Sequence, residues 1–352
     1  MTPDALPRPG LRDLDAYVSP RIDVPVRLNT NECPYPLPDA FFTDLARAVQ
    51  DLPLNRYPDA QMTQLREALA AHHAHPFEGT WTANGSNEIL TELLMAYGGP
   101  GRRAVVFEPT YLLHSRLSAL THTDLVSLRL EAPFALTKQA VDEALAAAPD
   151  VIFVCSPNNP TGNAQPLETI ASVASRTSAI VIVDEAYIEF GGQSALELTD
   201  AHRNVAVVRT FSKAFAMAGV RLGYVLASPD VVGDRQRVRL PYHMSSLTQA
   251  AGTVALRHAS EAMDILGAIR AQRDRLLREL RAMDRMTVYP SDANFVLFVP
   301  PRPAADVWQG LLDRGVLIRD LSTVVPNALR VTAGSEDEVD RFLSSLSEVL
   351  AR

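Results

Sequence analysis

The sequence predicts an α/β fold, a mostly parallel sheet covered by helices, followed by a small α+β unit. Three observations carry that prediction. The runs VIFVCS (151–156), AIVIVD (179–184) and VAVVRT (205–210) are apolar on both faces, as strands buried within a parallel sheet are. They begin 28 and 26 residues apart, which leaves room for a crossover helix in each gap. Beyond residue 284 the pattern changes to strand, helix, two strands and helix within about 70 residues, enough for a second, smaller core.

Taken in order, residues 1–38 hold eight of the chain's 25 prolines and no sustained periodicity, so they read as an extended arm. Residues 39–244 form the large domain. In its first part the helical patterns MTQLREALAAHHA and SNEILTELLMAY alternate with the apolar run AVVF. The strand VRLGYVLA follows VAVVRT too closely for a crossover and is expected to run antiparallel. Residues 245–284 read as a linking helical stretch. Residues 285–352 form the small domain, with NFVLFV, ADVWQGLLDRG, VLIRD and LRVTAG before a last helix opened by the capping box Ser335 to Glu338.

A chain of 352 residues suits about two domains. Its net charge of −8 provides no electrostatic footprint for nucleic acid or an anionic membrane, so an anionic ligand must be held by local arginines. No run approaches the ~18 to 20 apolar residues of a membrane span. The N-terminus, MTPDALPRPGLRDLD, lacks the basic start and apolar stretch of a signal peptide. Cys33 and Cys155 have neither metal-ligand nor redox spacing, and a reducing cytoplasm is expected. AHHAHP (71–76) reads as a polar helix end and not as a metal site, Lys138 as a solvated helix start, and Trp81 and Trp308 as packing.

Lys213 stands apart. Of 33 basic residues only Lys138 and Lys213 are lysines; the other 31 are arginines. Arginine stays protonated in a protein, whereas a lysine in apolar surroundings can become a neutral, nucleophilic amine. Lys213 lies in RTFSKAFAMAGVRLGY, just past the VAVVRT strand, and ligands of open α/β sheets bind beyond the carboxyl ends of strands. The neighbouring strand ends supply Asn159 in PNNPTG, and Asp184 and Tyr187 in DEAY. Pyridoxal 5′-phosphate needs a lysine for its Schiff base, an acid for its ring nitrogen and donors near its phenolate oxygen. Gly85, Ser86 and Asn87 at a helix start, with Ser212 and Arg221, would cradle its phosphate, and Tyr111 would stack on its ring. Singly, Asp184 also reads as a helix cap, Asn159 as turn chemistry, Tyr187 and Tyr111 as packing, and Arg221 as a surface ion pair.

The motifs RLNTNECPYPLP, NRYPD, SPNNPTG, VDEAYIEF, RTFSKAFAMAGVRLGY and PYHMSSLTQ closely resemble the histidinol-phosphate aminotransferase family, of the aspartate-aminotransferase fold group, over about Tyr17 to Arg330. The resemblance implies a fold-type-I architecture for pyridoxal phosphate enzymes, with a seven-stranded sheet in a large cofactor-binding domain, and a homodimer whose sites lie at the interface. It assigns Lys213 to the Schiff base, Asp184 to the pyridinium, Asn159 and Tyr187 to the phenolate, and Ser86, Asn87, Ser212 and Arg221 to the phosphate. Tyr57 matches a phosphate ligand reaching in from the other subunit. Arg330 matches the arginine that holds the substrate's anionic end, Arg319 a second phosphate arginine, and Tyr17 an arm residue closing over the site. Cys33, Asn87 and Ala216 depart from the family's usual Asn, Asp and Gly.

The implied reaction is ping-pong transamination between glutamate and imidazole-acetol phosphate, giving 2-oxoglutarate and histidinol phosphate. Three other readings stand beside it. An aromatic amino-acid aminotransferase would need only one anion-holding arginine, a threonine-phosphate decarboxylase shares the motifs, and a cofactor-binding transcription regulator would need a basic module for which the arm has no room.

Overall fold

The computed structural model of the protein describes residues 8, 11, 14, 16 and 22–351. Tyr17 lies outside the described residues. A two-residue strand, β1 (Val26–Arg27), precedes helices α1 (Asp39–Gln50) and α2 (Thr63–His73). The α/β succession follows as β2 (Thr80–Ala83), α3 (Ser86–Tyr97), β3 (Arg103–Glu108), α4 (Leu112–Thr121), β4 (Asp124–Arg129), α5 (Lys138–Ala146), β5 (Val151–Cys155), α6 (Leu167–Ser175), β6 (Ile180–Asp184), β7 (Val205–Thr210), β8 (Gly223–Ala227) and α7 (Pro229–Gln236). Helices α8 (Ser246–Arg257) and α9 (Ala259–Ala282) lead to β9 (Thr287–Val288), β10 (Phe295–Val299), α10 (Ala304–Leu312), β11 (Val316–Leu317), β12 (Arg319–Asp320), β13 (Leu329–Thr332) and α11 (Glu336–Leu350).

Seven strands form one sheet in the order β2-β8-β7-β6-β5-β3-β4. Strand β8 runs antiparallel to both neighbours and the remaining pairs are parallel. The reversal at β8 is the one that the short connection predicts. Strands β5, β6 and β7 are buried at every position, which explains their unbroken apolar sequences. Strand β4 is the sheet's edge, largely solvated and alternating, and β2 is only four residues long, so neither stands out in the sequence.

The C-terminal sheet, β12-β13-β10-β9, is antiparallel throughout. Strand β1 pairs in parallel with β11, and the chain then crosses to β13, where Thr332 N donates to Leu28 O at 3.0 Å. Residues 29–31 are thereby laid from the C-terminal unit toward the carboxyl edge of the large sheet. The capping box at Ser335 and Glu338 forms as the sequence predicts.

Two features add detail to the sequence reading. The helical stretch 245–284 is two helices broken at His258, whose ring meets Asp44 at 3.1 Å and Glu261 at 3.2 Å. AHHAHP ends α2 as expected, but two of its histidines are engaged: His73 stacks on Tyr224 and hydrogen-bonds its hydroxyl at 2.9 Å, and His75 Nε2 lies 3.1 Å from Ala227 O. Desolvation pushes the His73 imidazole down to about 3, so it packs as a neutral ring.

Candidate active site

The sheet order brings the chemistry-bearing loops side by side. Strands β2, β7, β6, β5 and β3 all point their carboxyl ends to one edge, and β8 begins there. The residues immediately beyond are Gly85 and Ser86, Lys213, Asp184, Asn159 and Tyr111, with Arg221 just before β8.

Lys213 Nζ donates to Thr30 O at 3.0 Å, a carbonyl on the segment laid across from the C-terminal unit. The side chain keeps a partial opening to solvent, yet burial lowers its pKa to about 8; the positive charges of Arg330 and Arg221 push the same way and Glu32 opposes them. The amine is thus available unprotonated near neutral pH, as a nucleophile or base must be.

Asp184 and Glu185 are consecutive and leave β6 on opposite faces, as strand residues do. Asp184 faces α4, where the fully buried His114 brings Nε2 to 3.1 Å from Oδ2, and Ala186 N donates to Oδ1 at 3.2 Å. His114 stacks on Phe153, centroids 4.6 Å apart. A carboxylate offers only acceptors, so His114 carries its proton on Nε2. On the other face Glu185 takes Arg209 Nε at 3.0 Å, Ser194 Oγ at 2.9 Å and Ala195 N at 2.6 Å, which fixes the loop carrying Tyr187.

The predicted phosphate cradle assembles around one close approach. Gly85 (φ +83°) has no room for a Cβ, which would lie 2.7 Å from Arg221 Nη2. Arg221 Nη1 reaches Ser212 Oγ at 3.2 Å, and Ser212 N is tied to Thr210 Oγ1 at 3.1 Å. The start of α3 therefore presents its free amides beside a guanidinium and a hydroxyl, an anion site by geometry and charge. Tyr111 caps α4 and donates to Asn87 Oδ1 at 3.3 Å. Gly223 lies against the backbone of Gly85 and Ser86 so closely that any Cβ would overlap it. Gly223→Ala is expected to cost about 2 to 3 kcal/mol of stability in urea unfolding; an unchanged midpoint would show that the approach can relax.

Arg330 enters from β13. It is 7% exposed, donates to Asn159 Oδ1 at 2.5 Å and to Asn29 O at 3.0 Å, and lies 4.9 Å over the Phe295 ring. Arg319 is its directly opposed partner on β12, so both side chains leave the sheet on one face. Two cations in cross-strand register repel unless an anion sits between them. Tyr57 is away from this group, 80% exposed and stacked on Tyr242 at 4.5 Å, with Leu54 and Leu240 exposed as well.

Two residues were not singled out in the sequence. His114 is one; its signal is the spacing Tyr111-x-x-His114, which puts both on one helix face. Asn31 is the other. It is 2% exposed and donates Nδ2 to Tyr187 OH at 3.0 Å.

The half-buried Lys213 and the buried Asp184 lie beside an anion cradle at the carboxyl edge of the sheet, and the class of protein is given by residues 24–346, which match aminotransferase class I and II. The chain is 47% identical to histidinol-phosphate aminotransferase of Frankia casuarinae, over 99% of this chain and 91% of that one. Identity to the Thermobifida fusca histidinol-phosphate aminotransferase is 47%, over 99% and 97%. The chain belongs to the histidinol-phosphate aminotransferase family. Its fold matches the Sinorhizobium meliloti histidinol-phosphate aminotransferase in complex with pyridoxal-5′-phosphate, with TM-score 0.88 at 22% identity and 99% of both chains covered. It also matches L-threonine-O-3-phosphate decarboxylase from Porphyromonas gingivalis, with TM-score 0.81 at 19% identity, covering 93% of this chain and 100% of that one.

Proposed function

We propose that the protein transfers an amino group between glutamate and imidazole-acetol phosphate, giving 2-oxoglutarate and histidinol phosphate, with pyridoxal 5′-phosphate as cofactor. The observation that carries the substrate assignment is the Arg319 and Arg330 pair in cross-strand register, which suits a dianionic phosphate ester better than a neutral aromatic ring. Family membership supports the same reading.

The residues fit the cofactor. The cradle of Gly85, Ser86, Asn87, Ser212 and Arg221 suits a phosphate, with a backbone gap at Gly85 that a Cβ would fill. Asp184, 2% exposed and held by His114, suits the ring nitrogen; Tyr111 suits the ring face, and Asn159 and Tyr187 suit the ring oxygen. Bound there, pyridoxal phosphate supplies an electron sink for the charge that develops at the substrate's α-carbon. Lys213 Nζ would hold the cofactor and, when free, would take the proton from the substrate's α-carbon. Arg330 orients the substrate by its anionic end, and Asn159 reads the same end through their shared hydrogen bond.

In this reading residues 39–244 and 285–352 act as two domains that enclose the substrate, with 245–284 between them. The exposed Tyr57, Tyr242, Leu54 and Leu240 support a homodimer in which Tyr57 reaches the partner's phosphate cradle. Among the described residues no helix is long and apolar enough to cross a membrane. A cytoplasmic location fits a biosynthetic enzyme.

The test is the visible spectrum of cofactor-loaded protein mixed separately with histidinol phosphate, phenylalanine and threonine phosphate. Conversion by histidinol phosphate at far lower concentration than by phenylalanine is the expected result. Equal conversion by phenylalanine would move the protein to the aromatic branch, and carbon dioxide release from threonine phosphate would make it a decarboxylase. Arg319→Gln sharpens the point. It should slow the half-reaction with histidinol phosphate by about 10- to 100-fold, the worth of a charge-assisted contact, and the glutamate half-reaction by no more than about twofold. Equal losses in both would remove Arg319 from phosphate recognition.

A further inference from the structure

We infer that Asn31 is a positioning residue for this reaction: its carboxamide fixes the direction of the Tyr187 hydroxyl, so that the Tyr187 proton is reserved for the cofactor's ring oxygen. The inference rests on the cofactor reading above and concerns how the chain tunes that contact.

The direction follows from counting protons. Thr332 Oγ1 accepts from Asn31 N at 3.1 Å and lies 3.1 Å from Asn31 Oδ1. A threonine hydroxyl has one proton, and among the described residues no other acceptor lies within its reach. The proton therefore goes to Asn31 Oδ1. That choice leaves Nδ2 as the end of the amide that meets Tyr187 OH, at 3.0 Å. With the amide turned over, the Thr332 proton would be stranded in a residue only 2% exposed. An NH₂ group can only donate, so the Tyr187 oxygen is an acceptor toward Asn31. Its own proton has no acceptor among the described residues.

The backbone that carries the amide is fixed as well. Asn31 adopts φ 56°, a left-handed conformation that Asn and Asp tolerate, and its carbonyl takes Asn294 Nδ2 at 3.2 Å. Thr332 is two residues beyond Arg330 on β13, hence on the same face. The strand that presents the substrate arginine thus also sets, through Thr332 and Asn31, which way Tyr187 donates.

A hydrogen bond donated to the anionic ring oxygen competes with that oxygen's hold on the proton of the neighbouring Lys213 nitrogen. Losing the donor raises the pH at which this nitrogen deprotonates. The charged and titratable groups around Tyr187 are Arg330 from β13, Asp184 from β6, Cys155 from β5, and Lys213, whose Nζ lies 5.8 Å from the ring centroid. Changes at Asn31 and Thr332 leave all of them in place.

The experiment is a pH titration of the visible band of cofactor-loaded wild type, Asn31→Asp, Thr332→Val, Tyr187→Phe and the Asn31→Asp/Tyr187→Phe double variant. Asp at position 31 keeps the backbone and turns the donor into an acceptor that captures the Tyr187 proton. Its midpoint should rise by about one unit, the worth of one hydrogen bond. Thr332→Val frees the amide to turn over and should shift the midpoint the same way by less. In the Tyr187→Phe background Asn31→Asp should add nothing. A wild-type midpoint in Asn31→Asp overturns the inference, as does an equal shift with and without the Tyr187 hydroxyl, which would be the new charge acting through space. If Asn31→Asp does not fold, Thr332→Val decides, and an unmoved midpoint there counts against the relay. A wild type with no visible cofactor band overturns the cofactor reading, and this inference with it; a band with no pH dependence overturns this inference alone.

Discussion

Replacing Lys213 with alanine is expected to reduce transamination by at least about 10⁴-fold, the upper end of what a positioned general base contributes, while cofactor still binds. Binding survives because Gly85, Ser86, Asn87, Arg221 and Asp184 lie on other loops, at the starts of α3 and β8 and the end of β6. Lys213→Arg should fail equally, since a guanidinium keeps its proton. The two variants together separate charge from proton transfer: a lysine needed only as a cation would be replaced by arginine. The native amine makes a further demand. With its pKa lowered to about 8 by burial first and by the charges of Arg330 and Arg221 next, its neutral fraction grows as pH rises through that value. Cofactor uptake by the apo-protein should therefore quicken with pH and level off above about 8. Stopped-flow mixing of apo-protein with pyridoxal phosphate measures it, and a rate flat from pH 6 to pH 9 would mean that the amine is not held near neutrality. Turnover above about one part in a hundred in Lys213→Ala would remove Lys213 from the proton transfer.

Lys213 is legible in the sequence because the chain otherwise writes positive charge almost wholly as arginine. Asp184 and Asn159 are legible because they close strands apolar on both faces, which can only be the sheet's interior. Strand β4 is not, because an edge strand is wet and its alternation is weak, and the break at His258 is not, because it depends on Asp44 in a helix distant in sequence. His114 and Asn31 fail to stand out for a related reason. A lone histidine in an apolar helix reads as packing until the strand opposite it is known to end in a carboxylate. Asn31 acquires its role from Thr332, 301 residues away, a contact that no local pattern encodes. The histidines of AHHAHP are legible as a helix end, but that two of them are taken up by Tyr224 and a backbone carbonyl depends on β8, about 150 residues away.

Asp184→Asn should lower transamination by about 10² to 10³-fold, the range seen when a preorganised electrostatic partner of a developing charge is lost. The side chain keeps its shape, so the loss measures charge. His114 separates holding from reacting. Its ring is fully buried, stacked on Phe153 and directed at Asp184 Oδ2. His114→Asn retains a donor but shortens the reach, and should cost about 10-fold, within the range for residues that orient a functional ligand from behind. If Asp184 acts through its charge on the cofactor's ring nitrogen, Asp184→Asn also shifts the pH dependence of the cofactor's visible band, and His114→Asn shifts it in the same sense by less. The double variant should be no worse than Asp184→Asn alone, because His114 then has no carboxylate left to orient. Additive losses in the double variant would give His114 a contact of its own with the reacting groups. The same titrations on the single variants fix the order of effects, and a His114→Asn shift larger than that of Asp184→Asn would reverse the two roles.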